Sequence, residues 1–531
     1  MKNHATHKDN GNGTRLGAVG LSDEPGVVPA VKKNVAIIGS GFLGMTLAMR
    51  LADAGAKVTL FESASEIGGL ASVWEIGDVV WDKHYHVVLA SDTYTRKIIE
   101  EVGLGDDLRW VETKTGFYTD GQLLSMSNTM EFLKFPALNL IGKLRLGLTI
   151  FYASRVKNWQ RLEKITVEDW LTRLSGRKTF DKMWKPLLKA KLGDAYKETS
   201  AAFIWAYIQR MYSARRSGMK KEMFGYVRGG YARVLERFGE VLLDKGIELR
   251  LNSRVESVER LDSGKIRVTT KAARRHRDTK PSVVRQKTKY AAFKAAAVVA
   301  PGFSGAFISE PQPGISEPHA GNGSVVEFPP ERTMTHFDNV IITAPSPAAA
   351  AMLPQLERAE KMMLKNIRYQ GIVCASVMMR CGLSNFYVTN ITDETPFTGI
   401  IEMSAIVDKR EFNGNALVYL PRYVASDDEL FEKTDDEIEK KFLDGLEKMY
   451  PQFCRKDVVA FKISRPRQVF PLPVLEYSSN LMPMKTSIPG VHVINSSHVV
   501  HGTLSINETV KLAERAFAEY FTAETQRRGD S

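Results

Sequence analysis

Cysteine is scarce in this chain. Cys374, Cys381 and Cys454 are its whole complement in 531 residues. Their separations match no metal site, argue against a disulfide framework, and fit a reducing compartment. Long apolar runs are missing too. No stretch of about 18 uncharged apolar residues occurs, which is what a membrane-spanning helix needs. The nearest, residues 135–153, is broken by Lys143 and Arg145. Residues 1–30 are polar and Gly-rich and lack the apolar segment of a secretory signal, so a cytoplasmic location is expected. There is no P-loop, no Ser/His/Asp set and no metal-ligand spacing. The protein is therefore not expected to hold a metal, and whatever chemistry it does is expected to be a cofactor's.

Charge is unevenly spread. The formal net charge is +12, yet residues 271–294 hold nine Lys/Arg against one acid, Asp278, which leaves that stretch at +8. The rest of the chain is mildly basic and carries no nucleic-acid motif, so nucleic acid is not an expected partner. A composition of 44% hydrophobic and 25% charged residues suits a soluble globular protein with a large core.

What is present begins at Val35. A β-branched run enters Gly39-Ser40-Gly41-Phe42-Leu43-Gly44, a Gly-x-Gly-x-x-Gly turn. Residues 45–55 follow, apolar at helical spacing and stopped by Gly55; residues 56–62 form a second strand pattern ending in Glu62. The turn is built for a dinucleotide. Gly39 permits the tight bend, Gly41 lets the backbone approach a pyrophosphate, and Gly44 lets helix and strand pack closely. The helix N-terminus offers N–H groups to phosphate, and Glu62 is placed for a ribose hydroxyl. With both strands, the helix and the acid in place, the pattern is specific.

Further on, Gly68-Gly69-Leu70-Ala71 supplies a pair of glycines, and Gly229-Gly230-Tyr231 opens another helix pattern. Thr166 followed by Asp169 reads as a helix start. Strand patterns at 265–270 and 338–344 are expected to join as a hairpin decorated by the intervening segment. That segment, 271–334, is basic, then rich in Pro, Gly, Ser and Ala, and is expected to be a disordered insertion. The chain closes on a strand at 490–495, a loop, and a helix at 506–521.

Four features, in order, resemble the superfamily of flavin-dependent amine oxidases, protoporphyrinogen oxidases and phytoene desaturases, with UDP-galactopyranose mutase as a neighbour. They are the Gly39-x-Gly41-x-x-Gly44 turn with Glu62, the Gly68-Gly69 pair, Gly229-Gly230-Tyr231 with the 338–345 strand, and the 489–495 strand with its closing helix. The likeness covers about residues 33–525 without the insertion. It implies an α/β fold in which a Rossmann-like FAD-binding domain is interleaved with a mixed α+β substrate domain. The FAD domain would take 31–110, 226–270, 335–365 and 456–525; the substrate domain 111–225 and 366–455; residues 1–30 would be a disordered tail.

FAD is the implied cofactor. Its implied contacts are Gly39, Gly41, Phe42, Leu43, Gly44, Glu62, Gly68, Gly69, Leu70, Ala71, Val255, Ser496 and Thr503. The family's last strand commonly ends in Gly-Asp, and Asn495-Ser496 stands there instead. Thr503 opens the loop whose N–H groups would face the flavin's pyrimidine edge. In Trp81-Asp82-Lys83-His84-Tyr85-His86, strand alternation would turn only one histidine to the flavin, and His86 is the candidate catalytic contact. Arg228, Arg465, Arg467, Tyr477, His498 and His501 are further candidates, and Lys185, Lys189 and Lys191 would suit an anionic substrate.

The implied activity is that of an FAD-dependent oxidoreductase passing hydride from a CH–NH or CH–CH substrate to flavin N5. The alternative is a non-redox mutase on a nucleotide sugar. The partner would be a small-molecule substrate, and no oligomeric state is implied. For 135–153 two placements are open. The leucines are expected to pack inward; otherwise the stretch meets a membrane surface at its periphery.

Overall fold

The computed structural model describes residues 33–216, 223–272, 325–326, 332–500 and 504–522. The 1–30 tail and most of the 271–334 insertion lie outside these residues, as do His501 and Thr503.

The β-branched run forms strand β1 (Asn34–Ile38), the glycine turn leads into helix α1 (Phe42–Asp53), and β2 (Lys57–Phe61) returns beside β1. They seed a six-stranded parallel sheet in the order Val325–Val326, Glu248–Arg250, β2, β1, Asn339–Ile342, Val491–Val493. Four remote stretches of chain thus meet on one sheet. Parallel strands covered on both faces read as unbroken apolar runs, and Asn339–Ile342 is buried along its whole length. One core packs α1 against the helix Gly230–Asp244 and the closing helix Ile506–Phe517.

The second sheet has eight strands. Tyr369–Met379 lies next to one edge, between Ala416–Ala425 and the edge strand Val458–Ser464, and Phe470–Pro471 also pairs with it. The sheet continues through Gly399–Glu402, Val388–Ile391, Thr115–Thr119 and Gln122–Ser125. Helices from 129 to 216 pack into a separate core beside it.

Three expectations change here. The hairpin partner of Ile266–Ala272 is Arg332–Phe337, not 338–344. Asp338 turns the chain, its N–H donating to Asn34 O at 2.8 Å and its carboxylate accepting the Asn34 N–H at 2.9 Å, and the apolar run beyond it joins the parallel sheet. The 271–334 segment is therefore ordered at its edges, and Val325–Val326 pairs with Leu249–Arg250. Finally, Val458–Ser464, placed with the FAD-binding segments by a boundary at 456, belongs to the second sheet. Its half-buried residues suit an antiparallel edge, not a parallel interior.

Residues 135–153 also differ from the inward-packing expectation. The helix Leu140–Ala153, started by the Asn139 side chain accepting the Gly142 N–H at 2.8 Å, buries Leu146, Thr149 and Ala153. Leu140, Ile141, Leu144 and Leu148 are instead 76%, 69%, 63% and 58% exposed. Thr166 does cap its helix, accepting the Asp169 N–H at 3.1 Å.

Candidate functional site

The glycine turn is a close meeting of three backbone segments. Gly39 has φ +107°, and a Cβ there would stand 2.5 Å from Thr343 Oγ1. A Cβ on Gly44 would stand 1.9 Å from Gly39 O, so helix and turn touch where only hydrogen fits. Gly68 N donates to Ser40 O at 2.9 Å, and a Cβ on Gly69 would be 3.3 Å from Gly41 Cα. The paired glycines thus rest directly on the first loop. Gly41 differs: a Cβ there meets nothing within 4 Å. It is also the N-cap of α1 and has no side chain to satisfy the helix's leading N–H groups. Open space beside the unsatisfied N–H groups of Phe42, Leu43 and Gly44 fits a pyrophosphate. The side chains of Phe42 and Leu43 are buried, so these residues offer backbone only.

Glu62 faces this turn. Its Oε2 accepts the Ser40 N–H at 2.9 Å and the Ser40 hydroxyl at 2.7 Å. Its Oε1 accepts the Ala64 N–H at 2.9 Å and the Ser63 hydroxyl at 3.1 Å. Val255 is buried at a bulge of Ser253–Arg260, in the apolar cluster that holds Phe61. Leu70 and Ala71 form the short helical turn after the paired glycines, Leu70 exposed and Ala71 buried.

The segment after the paired glycines is a strand only as far as Asp82. His84 and His86 therefore follow no strand alternation, which corrects the basis on which they were told apart. His84 is tied on both sides, Nδ1 to Leu70 O and Nε2 to Ser464 Oγ, each at 3.1 Å. Burial lowers its pKa to about 4 and keeps it neutral. His86 lies against the Tyr231 ring with centroids 4.9 Å apart. Its buried Nδ1 has no hydrogen-bond partner among the described residues and is 3.6 Å from Asp82 Oδ2.

Asp82 is the residue that sequence reasoning passed over. Its buried carboxylate accepts the Tyr231 N–H at 2.8 Å, just inside the helix that opens at Gly230. Its carbonyl accepts the Tyr419 hydroxyl at 2.6 Å. Asp82 therefore joins the first domain's helix to the second sheet. The signal was an acid within an aromatic and histidine-rich run, but its partners are about 150 and 340 residues away.

Across from this segment, cross-strand pairing sets Ile372 beside Tyr423 and Ser376 beside Tyr419, which gives those side chains one face of the second sheet. The Tyr423 hydroxyl meets that of Tyr85 at 3.0 Å, and burial pushes the Tyr85 and Tyr419 pKa values up. At the C-terminal end, Asn495 is consumed by the fold. Its amide donates to Ala344 O at 2.8 Å, and its carbonyl accepts from Ser497 N and Oγ. Ser496 is half-buried at the start of the next turn.

Several candidates are held elsewhere. Arg228 pairs with Asp107 at 2.6 Å and Arg465 with Asp435 at 2.5 Å, while Arg467 pairs with Glu432. Tyr477 donates to Ser497 O at 2.9 Å, and His498 is buried between Met482 O and Asn495 N. Lys185 and Lys189 pair with Asp181 and Asp194, each at 3.8 Å, whereas Lys191 turns to the rings of Tyr423 and Phe470. Among the described residues no His, Cys, Asp and Glu group could hold a metal, and no helix is long and apolar enough to cross a membrane.

Comparison with known proteins agrees with this geometry. A 15-cis-phytoene desaturase of Glycine max is 22% identical over 257 residues, 45% of this chain and 45% of the relative. A zeta-carotene desaturase of Synechocystis is 24% identical, over 44% of this chain and 52% of the relative. The chain thus spans about half the length of the curated relatives it matches. Among solved structures, a candidate protoporphyrinogen oxidase from Exiguobacterium sp. 255-15 superposes with a TM-score of 0.64 at 16% identity, over 93% of this chain and all of the other. Reduced UDP-galactopyranose mutase does so at 0.60 and 12% identity, over 93% and 98%. At such identities the likeness is one of fold, a Rossmann-like domain joined to a substrate-side mixed sheet. The profile of the family "Flavin containing amine oxidoreductase" matches residues 44–284 and 315–504, and with most of its length so matched the chain belongs to that family of FAD-dependent oxidoreductases.

Proposed function

We propose that this protein binds FAD at the Gly41 turn and oxidises a CH–NH or CH–CH bond of a small molecule held against the second sheet. The observation that carries the reading is the open space at Gly41, hemmed by Gly39, Gly44 and Gly69, where a Cβ would clash at Gly39 and Gly44 and be tight at Gly69 but meet nothing at Gly41 itself. Bound there, FAD supplies hydride acceptance at N5. The N–H groups of Phe42, Leu43 and Gly44 would hold its phosphates, Glu62 its ribose, and Gly68 to Ala71, Val255, Ser496 and Thr503 would complete the contacts. The buried Tyr419 and the half-buried, hydrogen-bonded Tyr85 and Tyr423 would limit water there, and His86, whose Nδ1 has no hydrogen-bond partner among the described residues, directly follows Tyr85. The names of the relatives include desaturases and putrescine oxidase, which supports hydride removal from carbon. A mutase acting on a sugar diphosphate would want free arginines, and Arg228, Arg465 and Arg467 are each ion-paired. The test is anaerobic screening of the purified protein with amines, polyenes and their carboxylated analogues. A substrate should bleach the flavin absorbance. Colourless protein that FAD cannot reconstitute overturns the reading.

A second surface supports contact with an anionic membrane. Besides the four exposed aliphatic residues of Leu140–Ala153, Met130, Leu133, Phe151 and Tyr152 are all about half exposed or more. From 132 to 162 the chain has six cations, Lys134, Lys143, Arg145, Arg155, Lys157 and Arg161, and no acid. An exposed apolar helix face whose neighbours along this stretch of chain are cations suits a headgroup layer.

A further inference from the structure

Lys191 is set apart from its neighbours on the helix Lys185–Leu192. Lys185 and Lys189 reach surface acids, whereas the half-buried Lys191 ammonium lies 3.7 Å from the centre of the Tyr423 ring and 5.1 Å from that of Phe470. No carboxylate among the described residues is within ion-pair distance of it. Ring faces attract the charge but accept none of its three N–H donors as a lone pair would.

A second donor, this one fully buried, also lacks an acceptor. Gln370 is 1% exposed, and its Nε2 has no hydrogen-bond partner among the described residues. It is paired across strands with Phe470 and lies two residues before Ile372, the cross-strand neighbour of Tyr423, so Gln370, Phe470 and Tyr423 share one sheet face. Its Nε2 is 3.7 Å from where a Cβ of Gly193 would be, which brings it to the end of the helix that carries Lys191. A buried amide without an acceptor costs free energy, and that amide together with an ammonium that has no counterion among the described residues, both beside Tyr423 and Phe470 on one sheet face, describes an acceptor that comes from outside the chain.

The spot adjoins the proposed reaction site. Tyr423 meets Tyr85, between His84 and His86, and Phe470–Pro471 packs against the turn Ser496–His498. We infer that Lys191 and Gln370 bind a carboxylate on the substrate, whose apolar or aromatic body lies along Tyr423 and Phe470. The inference rests on the proposed flavin site and gives its substrate class: a carboxylate-bearing molecule, not a cationic amine. An ammonium beside Lys191 would meet a like charge, which disfavours it relative to a carboxylate.

The test uses 4-phenylbutyrate and 4-phenylbutylamine, matched bodies of opposite charge. Each is titrated into the FAD-loaded protein, read by perturbation of the flavin spectrum, and into both loaded and flavin-free protein, read by melting temperature. The carboxylate should bind and the amine should bind at least about tenfold more weakly. Lys191→Met should weaken the carboxylate about ten- to hundredfold and reduce the preference over the amine. Lys191→Arg should retain most of the carboxylate affinity, and Gln370→Leu should lose about five- to tenfold. Carboxylate affinity unchanged in Lys191→Met, no carboxylate binding at millimolar concentration, or an amine bound equally well would overturn the inference. Protein that takes up no FAD would instead sink the flavin reading, while the melting shifts still judge Lys191.

Discussion

Glu62 Oε2 accepts the Ser40 N–H at 2.9 Å and the Ser40 hydroxyl at 2.7 Å, so the acid at the end of β2 closes the glycine turn before any ligand arrives. Ala64 N and Ser63 Oγ occupy the other oxygen. A carboxylate has about four lone-pair sites, and all four are taken. A ribose hydroxyl bound at Glu62 would have to displace a serine hydroxyl, because the two amides are fixed by the backbone.

Loss of this acid should therefore be felt twice. Glu62→Ala is expected to weaken FAD binding by about 1–3 kcal/mol and to lower the melting temperature of the flavin-free protein. Ser40→Ala removes only the competing hydroxyl and should leave FAD affinity within about threefold. Fluorescence quenching of FAD titrated into flavin-free protein measures both. Equal affinity in wild type and Glu62→Ala would show that the acid only braces the turn.

Gly41 and Gly44 should respond in opposite ways. A Cβ on Gly44 meets a backbone oxygen at 1.9 Å, which no side-chain rotation relieves, so Gly44→Ala should destabilise the fold by about 3 kcal/mol or more. Gly41→Val places its side chain in open space. It should fold with nearly wild-type stability and hold no FAD. Denaturant melts paired with flavin content separate the two, and a yellow Gly41→Val protein would remove the pyrophosphate from this turn.

The exposed face of Leu140–Ala153 should bind liposomes. Flotation with anionic vesicles at low salt should carry the protein, and Leu144→Asp/Leu148→Asp should stay at the bottom of the gradient with an unchanged circular dichroism spectrum. Neutral vesicles should bind less, since the cations flanking the helix contribute about 1 kcal/mol each near a charged surface. Wild-type protein that fails to float would leave the exposed leucines without lipid to cover them.

Glu402 should make stability depend on pH. It is 2% exposed, and burial raises its pKa from 4.5 to about 7, against the opposing hydrogen bonds from Ser384. Between those values the folded state holds more protons than the unfolded one. Stability then falls as pH rises from about 4.5 to 7, by up to about 3 kcal/mol, and is flat on either side. Glu402→Gln should abolish this component. Urea melts of both proteins at pH 5 and pH 8 give the comparison, and parallel pH profiles would place the titration elsewhere.

Much of the nucleotide-binding half was legible because its determinants are local. A Gly-x-Gly-x-x-Gly turn, an apolar run at helical spacing and an acid after the second strand lie within 24 consecutive residues, and each is a demand that backbone geometry makes on residue type. The Thr166 cap was readable for the same reason. What the chain order concealed is everything set by pairing at a distance. Whether 332–337 or 338–344 meets Ile266–Ala272, and whether Val458–Ser464 joins one sheet or the other, depends on which neighbour offers hydrogen bonds and burial, and short apolar runs look alike in both settings. The face of Leu140–Ala153 could not be oriented from its sequence, since an apolar stripe suits a core and a headgroup layer equally. Lys191 gives the sharpest case. Three lysines within seven residues are one cluster in the sequence, and only the tertiary structure, which sets acids beside two of them and aromatic rings beside the third, distinguishes a solvated pair from a charge without a counterion.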